Sequence, residues 1–180
     1  MNDEEYMEIA YQEALKALKH DDVPIGCIIV KDDQIIARAY NQREYLNQTY
    51  GHAEMLAIEE ACKKIERWRL DECTLYTTLE PCLMCSGAII QSHIQRVVYG
   101  ASDTRWMSLD KLIHLPNPKL NYIPMIQSDI LKDKCSKLIT VRVPRTISLI
   151  VDSLMPDICA SFFCVIFRSS NNSLTLSFTL

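Results

Sequence analysis

The 180-residue sequence lacks the features that mark several large classes of protein. It has no basic excess: 19 Lys and Arg stand against 23 Asp and Glu, a formal net charge of −4. That balance makes no general case for a nucleic-acid partner, and any such contact needs a local basic patch. No uninterrupted apolar run reaches membrane-spanning length; the longest candidate, ICASFFCVIF at 158–167, is ten residues even with Ser161 counted. Internal repeats and low-complexity tracts are absent as well. Met1 is followed by Asn-Asp-Glu-Glu, acidic where a secretory leader is basic and then apolar. The expectation is a soluble, cytoplasmic protein without a membrane partner, its eight cysteines serving as thiols or metal ligands rather than disulfides.

What is present suits one globular domain: 48% hydrophobic and 23% charged residues, in a chain long enough to bury a core. Apolar positions at Met7, Ala10, Tyr11, Ala14, Leu15 and Leu18 predict an amphipathic helix over 3–19, capped by Asn2 or Asp3. GCIIV (26–30), the turn KDDQ and IIARAY (35–40) predict a β-hairpin, followed by a polar loop from Asn41 to Gly51. Then come a helix over 53–65, a strand over 73–79, a helix opening on Pro81 and running to Gln91, and a strand over 96–100. Two crossover helices in that order imply a mixed sheet with helices on both faces. Beyond 101 the pattern weakens to a short helix at SLDKLIH, an edge strand at YIPMI because of Pro124, and a helix over 128–140. Residues 1–140 form the expected domain. Val141-Arg-Val-Pro144 stops the last helix, leaving 141–180 as an atypical tail, too apolar for a solvated disordered segment.

Two short stretches carry chemistry. In LEPCLMCSGAII (79–90), Cys82 and Cys85 form a C-x-x-C pair, which serves redox centres, structural zinc knuckles and catalytic metal sites alike. In GHAEMLAI (51–58), His52 and Glu54 stand at the start of a predicted helix, as the two cysteines do at the start of theirs. Adjacent crossovers from one sheet edge would set these helix ends side by side, where the positive dipole ends favour thiolate over thiol. Taken singly, each residue has an ordinary reading: His52 as a cap or packing histidine, Glu54 as a first-turn carboxylate, the cysteines as buried thiols. Together they make H-x-E followed by P-C-x-x-C, the signature of zinc deaminases. One imidazole and two thiolates are three protein ligands for one Zn2+ per subunit, leaving a fourth position for water, with Glu54 as general acid and base. Sulfur ligands with imidazole select zinc over magnesium or calcium. Cys27, Cys62, Cys73, Cys135, Cys159 and Cys164 show no ligand spacing, and His20, His93 and His114 show no partner pattern.

VPIGCIIV, ARAYNQRE, GHAEMLAI, CTLYTTLEPCLMCSGAII and RVVYGASD together resemble the tRNA-specific adenosine deaminases of the cytidine-deaminase-like superfamily, from about Met7 to Asp103. The resemblance implies a three-layer α/β/α cytidine-deaminase-like fold with a five-stranded mixed sheet, and a homodimer. It implies hydrolytic conversion of the wobble adenosine of a tRNA anticodon stem-loop to inosine, with release of ammonia. By position it carries His52, Cys82 and Cys85 onto the zinc ligands and Glu54 onto the proton shuttle. It carries Asn41 onto the base-binding asparagine, Ile25 onto the base-pocket lining, and Asp103 onto a residue near the substrate ribose. Three departures stand out: Gly51 where alanine is common, the shorter loop TRWMSLD with its bulky Trp106, and Pro144 within the helix that grips tRNA in the family. Lys63, Lys64, Arg67, Arg69, Lys132, Lys134 and Lys137 are candidate phosphate contacts, set against an ordinary solvated face. Competing readings are a zinc deaminase of a free base or nucleotide of guanine or cytosine type, a non-catalytic deaminase subunit, and a zinc-free C-x-x-C protein. The presence of Glu54 argues against the second.

Overall fold

A computed structural model describes residues 1–105, 107–115 and 119–140, together with the strand backbones of 167–170 and 173–176. Trp106, Pro144, Cys159 and Cys164 lie outside the described residues. The chain divides into two compact units, Met1–Arg142 and Val143–Leu180. The first contains, in order, α1 (Asp3–Ala17), β1 (Gly26–Lys31), β2 (Gln34–Tyr40), α2 (Arg43–Leu46), α3 (Ala53–Ile65), β3 (Thr74–Leu79), α4 (Leu83–Gln91), β4 (Arg96–Ala101), α5 (Leu109–Ile113), β5 (Met125–Gln127) and α6 (Lys132–Thr140). In the second, β6 (Phe167–Ser170) and β7 (Ser173–Leu176) form an antiparallel hairpin. No helix among the described residues is long and apolar enough to cross a membrane.

The five strands of the first unit lie in the order β2-β1-β3-β4-β5. β1 runs antiparallel to both β2 and β3, and β3, β4 and β5 run parallel. One core packs the sheet against α3, α4 and α5, the other against α1 and α6, which is the three-layer α/β/α arrangement. Burial on both faces explains the unbroken apolar run GCIIV: Cys27 and Ile29 join the α3 side, Ile28 and Val30 the α1 side. The turn between β1 and β2 is made by Asp32 and Asp33 at φ 49° and 58°, the left-handed pair that matches hairpin twist. Asn2 caps α1 through a reciprocal pair: Glu5 N donates to Asn2 Oδ1 and Asn2 N donates to Glu5 Oε2, both at 2.8 Å.

Two local expectations are corrected. α1 buries Tyr6, Met7, Ala10, Ala14 and Ala17, and leaves Tyr11, Leu15 and Leu18 only partly covered. The cause is the close approach of β1: a Cβ on Gly26 would lie 2.0 Å from Ala10 O and 2.4 Å from Ala14 N, so the small residues must face the sheet. Pro81 stands before the N-cap of α4 rather than in its first turn, because Cys82 takes the cap with an extended backbone. The carbonyl of Pro81 instead accepts from Leu109 N at 3.1 Å, pinning the start of α5 beside α4.

Asp3 fastens α1 to the sheet. Its carboxylate accepts the Arg96 guanidinium fork at 2.9 and 2.7 Å and the Tyr76 hydroxyl at 2.8 Å. The Arg96 bonds hold its carboxyl below the ordinary value of 3.8. A carboxylate depressed in the fold stabilises it above the unfolded pKa, and that contribution is lost as pH falls through the folded value. Asp3→Asn is therefore expected to cost about 1 kcal/mol at neutral pH, discounted for partial exposure. The deficit shrinks below pH 3.8, and denaturant titrations on both sides of that value check it.

Candidate active site

β2 and β3 run in the same direction on either side of β1, so the helices that follow them, α3 and α4, begin at one edge of the sheet. His52 is the N-cap residue of α3 and Cys82 that of α4, and neither makes a side-chain capping hydrogen bond. A cap residue ordinarily does so. Here the two side chains meet instead. His52 Nδ1 lies 3.7 Å from Cys82 Sγ and 3.5 Å from Cys85 Sγ, and the sulfurs are 3.6 Å apart. A tetrahedral zinc with bonds of about 2.3 Å to sulfur and about 2.1 Å to nitrogen has edges of about 3.8 and 3.6 Å. The triangle therefore has the size of a zinc face and the donor set zinc takes, and three ligands leave a coordination position open.

The charges fit the same use. The hydrogen bond with Cys85, and then the one with His52, pull the Cys82 thiol down to about 4. The shared bond and burial push Cys85 up, and the bond to Cys82 raises His52. Glu54, in the first turn of α3, is 3% exposed. Burial, with the negative Cys82 adding to it, pushes its carboxyl up to about 7. Its Oε2 is buried and has no hydrogen-bond partner. Leaving a carboxylate oxygen in that state is costly unless another group arrives to bond it. A carboxyl with its pKa near neutrality can take a proton and return it.

The remaining expected residues divide. Asn41, buried at the end of β2, donates Nδ2 to Asp22 Oδ1 and to Val23 O, both at 3.2 Å. Both amide hydrogens are thereby used, and Oδ1 is the function left to offer a ligand. Asn41 N donates to Ile25 O at 2.8 Å, so Ile25 stands beside it, half-buried against the cores of both sheet faces. Asp103 is buried and its carboxylate accepts from Arg105 N, Nε and Nη2, each at 3.0 Å, so it is engaged within its own loop. Among the basic candidates, Lys63 pairs with Glu59, Arg69 with Asp71, Lys132 with Asp129 and Lys134 with Glu8, the arrangement of a solvated face. Lys64, Arg67 and Lys137 are exposed.

Glu80 and Asp22 are buried carboxylates that escaped the sequence reading. Glu80 Oε2 accepts from Asp103 N at 3.0 Å and Oε1 from Asp110 N at 3.1 Å, holding the loop after β4 and capping α5. A charged residue ending the apolar strand TLYTTL is its available signal. Asp22 carries no periodic signal at all, because its partners lie about a score of residues away, at Asn41 and in α2.

The profile of the cytidine and deoxycytidylate deaminase zinc-binding region matches residues 1–101. The tRNA-specific adenosine deaminase of Bacillus subtilis is 42% identical over 139 residues, 77% of this chain and 86% of that protein. The chain belongs to the zinc-binding deaminase family, with the tRNA-specific adenosine deaminases. Within the family, a solved tRNA:A34 deaminase, studied for A-to-I editing at the wobble position of transfer RNA, matches with a TM-score of 0.70 at 35% identity, covering 74% of this chain and 98% of that one. The guanine deaminase of Bacillus subtilis matches with a TM-score of 0.56 at 31% identity, covering 85% and 94%. The zinc of this deaminase family fits the triangle found here. His52→Ala and Cys85→Ala are each expected to reduce zinc from about one per chain to below about half, measured by elemental analysis.

Proposed function

We propose that the protein is a zinc-dependent hydrolase that converts adenosine to inosine at the wobble position of a tRNA anticodon loop, releasing ammonia. The single observation that carries the chemistry is the unpartnered, buried Glu54 Oε2 beside the His52–Cys82–Cys85 triangle. Support for the substrate comes from the tRNA-specific relatives and from the greater likeness to the A34 deaminase than to the guanine deaminase.

In this reading His52, Cys82 and Cys85 hold the metal. Zinc held there supplies a Lewis acid and lowers the pKa of a bound water to about 7. Glu54 takes a proton from the attacking water and delivers it to N1 of the adenine, beside the carbon under attack. A second proton reaches the exocyclic nitrogen, which leaves as ammonia, so water and adenosine are converted to inosine and ammonia. Asn41 orients the base through Oδ1 while Ile25 supplies an apolar wall. Asp103, whose carboxylate Arg105 engages, lies near the substrate ribose in this reading. A single-stranded loop suits the site, since its bases can be splayed into a pocket at little unstacking cost.

The reading includes a cytoplasmic location, where tRNA is met, and a homodimer. Support for a second copy comes from Leu83 and Met107, exposed at 53% and 41% on either side of the bridge between Cys82 and Ser108. An apolar pair beside the site is what a second chain would cover, and a solution mass of twice the chain is required. The decisive assay incubates the protein with unmodified tRNA and reads the wobble position. Glu54→Ala is expected to lose roughly 100-fold or more in rate while keeping its zinc. An equal rate in the variant removes Glu54 from the chemistry, and ammonia released from free guanine or cytosine instead of tRNA favours the free-base alternative.

A further inference from the structure

Next to the base site lies an aromatic ladder that the deamination chemistry does not use. His20 stacks on Tyr40 with ring centroids 6.1 Å apart and planes 5° from parallel, and on Tyr45 at 4.0 Å and 34°. Tyr45 ends the ladder. It is 58% exposed, so one part of the ring is backed by His20 while the rest stands open.

The ladder is fixed to the base site through one carboxylate. Asp22, 1% exposed, accepts from Asn41 Nδ2 at 3.2 Å and Glu44 N at 3.0 Å through Oδ1, and from Tyr45 N at 3.0 Å through Oδ2. Asn41 and the backbone of Tyr45 thus share a single anchor, so the residue that carries the open ring is tied to the residue that orients the target base. His20 and Tyr40 hold that ring in place before any ligand arrives, which lowers the ordering cost of using it.

We propose that Tyr45 is a stacking platform for the nucleobase adjacent to the target adenosine, with His20 and Tyr40 as its backing and Asp22 as the residue that positions it. The inference rests on the RNA substrate assigned above. Extruding a base from a single strand leaves its neighbour without a stacking partner, and an aromatic ring restores that contact for any base, because every base has a π-face. Stacking of this kind acts on binding and is the same before and after the chemical step, so it lowers KM and leaves kcat alone.

The test uses the zinc-loaded full chain and an anticodon stem-loop carrying 2-aminopurine on one side or the other of the target. Tyr45→Ala is expected to raise KM roughly 5- to 150-fold with kcat and zinc content unchanged. Tyr45→Phe keeps the wild-type KM, and His20→Ala falls between them. At one of the two positions, 2-aminopurine is dimmer in the wild-type complex than in the Tyr45→Ala complex, since stacking quenches it. A Tyr45→Ala protein with wild-type KM and equal fluorescence at both positions overturns the proposal, as does one that loses zinc and kcat together. The fluorescence also separates the two readings. A wild-type complex that quenches without deaminating refutes the deaminase assignment and leaves the platform, whereas deamination without quenching at either position refutes the platform alone.

Discussion

β1 pairs antiparallel with both of its neighbours, and the rest of the site depends on that insertion. With β1 between them, β2 and β3 must run the same way, and the helices that follow them must start at the same edge of the sheet. The zinc triangle is built from those two starts. β1 in turn is locked in place by α1, whose Ala10 and Ala14 backbone sits so close to Gly26 that no side chain fits. Replacing that glycine would press backbone on backbone, far from the metal donors yet on the strand that orders them. The site therefore inherits its precision from core packing, with its donors mounted on the ends of rigid helices rather than on a mobile loop.

Burial is the second shared cause. The same enclosure that raises Glu54 toward neutrality leaves one of its oxygens without a partner. His52 and Cys82 likewise stand at N-cap positions without a side-chain capping bond, and their donor atoms face one another instead. A fold selected for stability alone would satisfy these groups. Their concentration around one point marks the place where local stability is given up for a ligand, and the neighbouring networks of Asp22 and Glu80 are fully bonded by contrast.

Much of this was legible in the residues. The bounds of α3 match the sequence pattern, and so does the hairpin turning at Asp32-Asp33. His52, Glu54, Cys82 and Cys85 were visible because their types and spacing have few other joint uses. What stayed hidden depends on which side chains meet, whether near or distant in sequence. The buried face of α1 is set by a glycine on a strand, and the engagement of Asp103 by an arginine in its own loop. Asp22 has no mark in the sequence, since its three bonds run to Asn41 and to the backbone of Glu44 and Tyr45 in α2. The lysines read as phosphate contacts are largely absorbed by neighbouring carboxylates, a pairing that composition cannot reveal.

The central claim is that three protein donors, one imidazole and two thiolates, form a preshaped face that leaves one position of a zinc ion to a small ligand. X-ray absorption at the zinc edge of the loaded protein tests this most directly. The account predicts two sulfurs at about 2.3 Å, one nitrogen at about 2.0–2.1 Å and one further light atom that exchanges with added ligand. A shell of four sulfurs, or a fourth donor from the protein that does not exchange, would contradict it and make the centre structural.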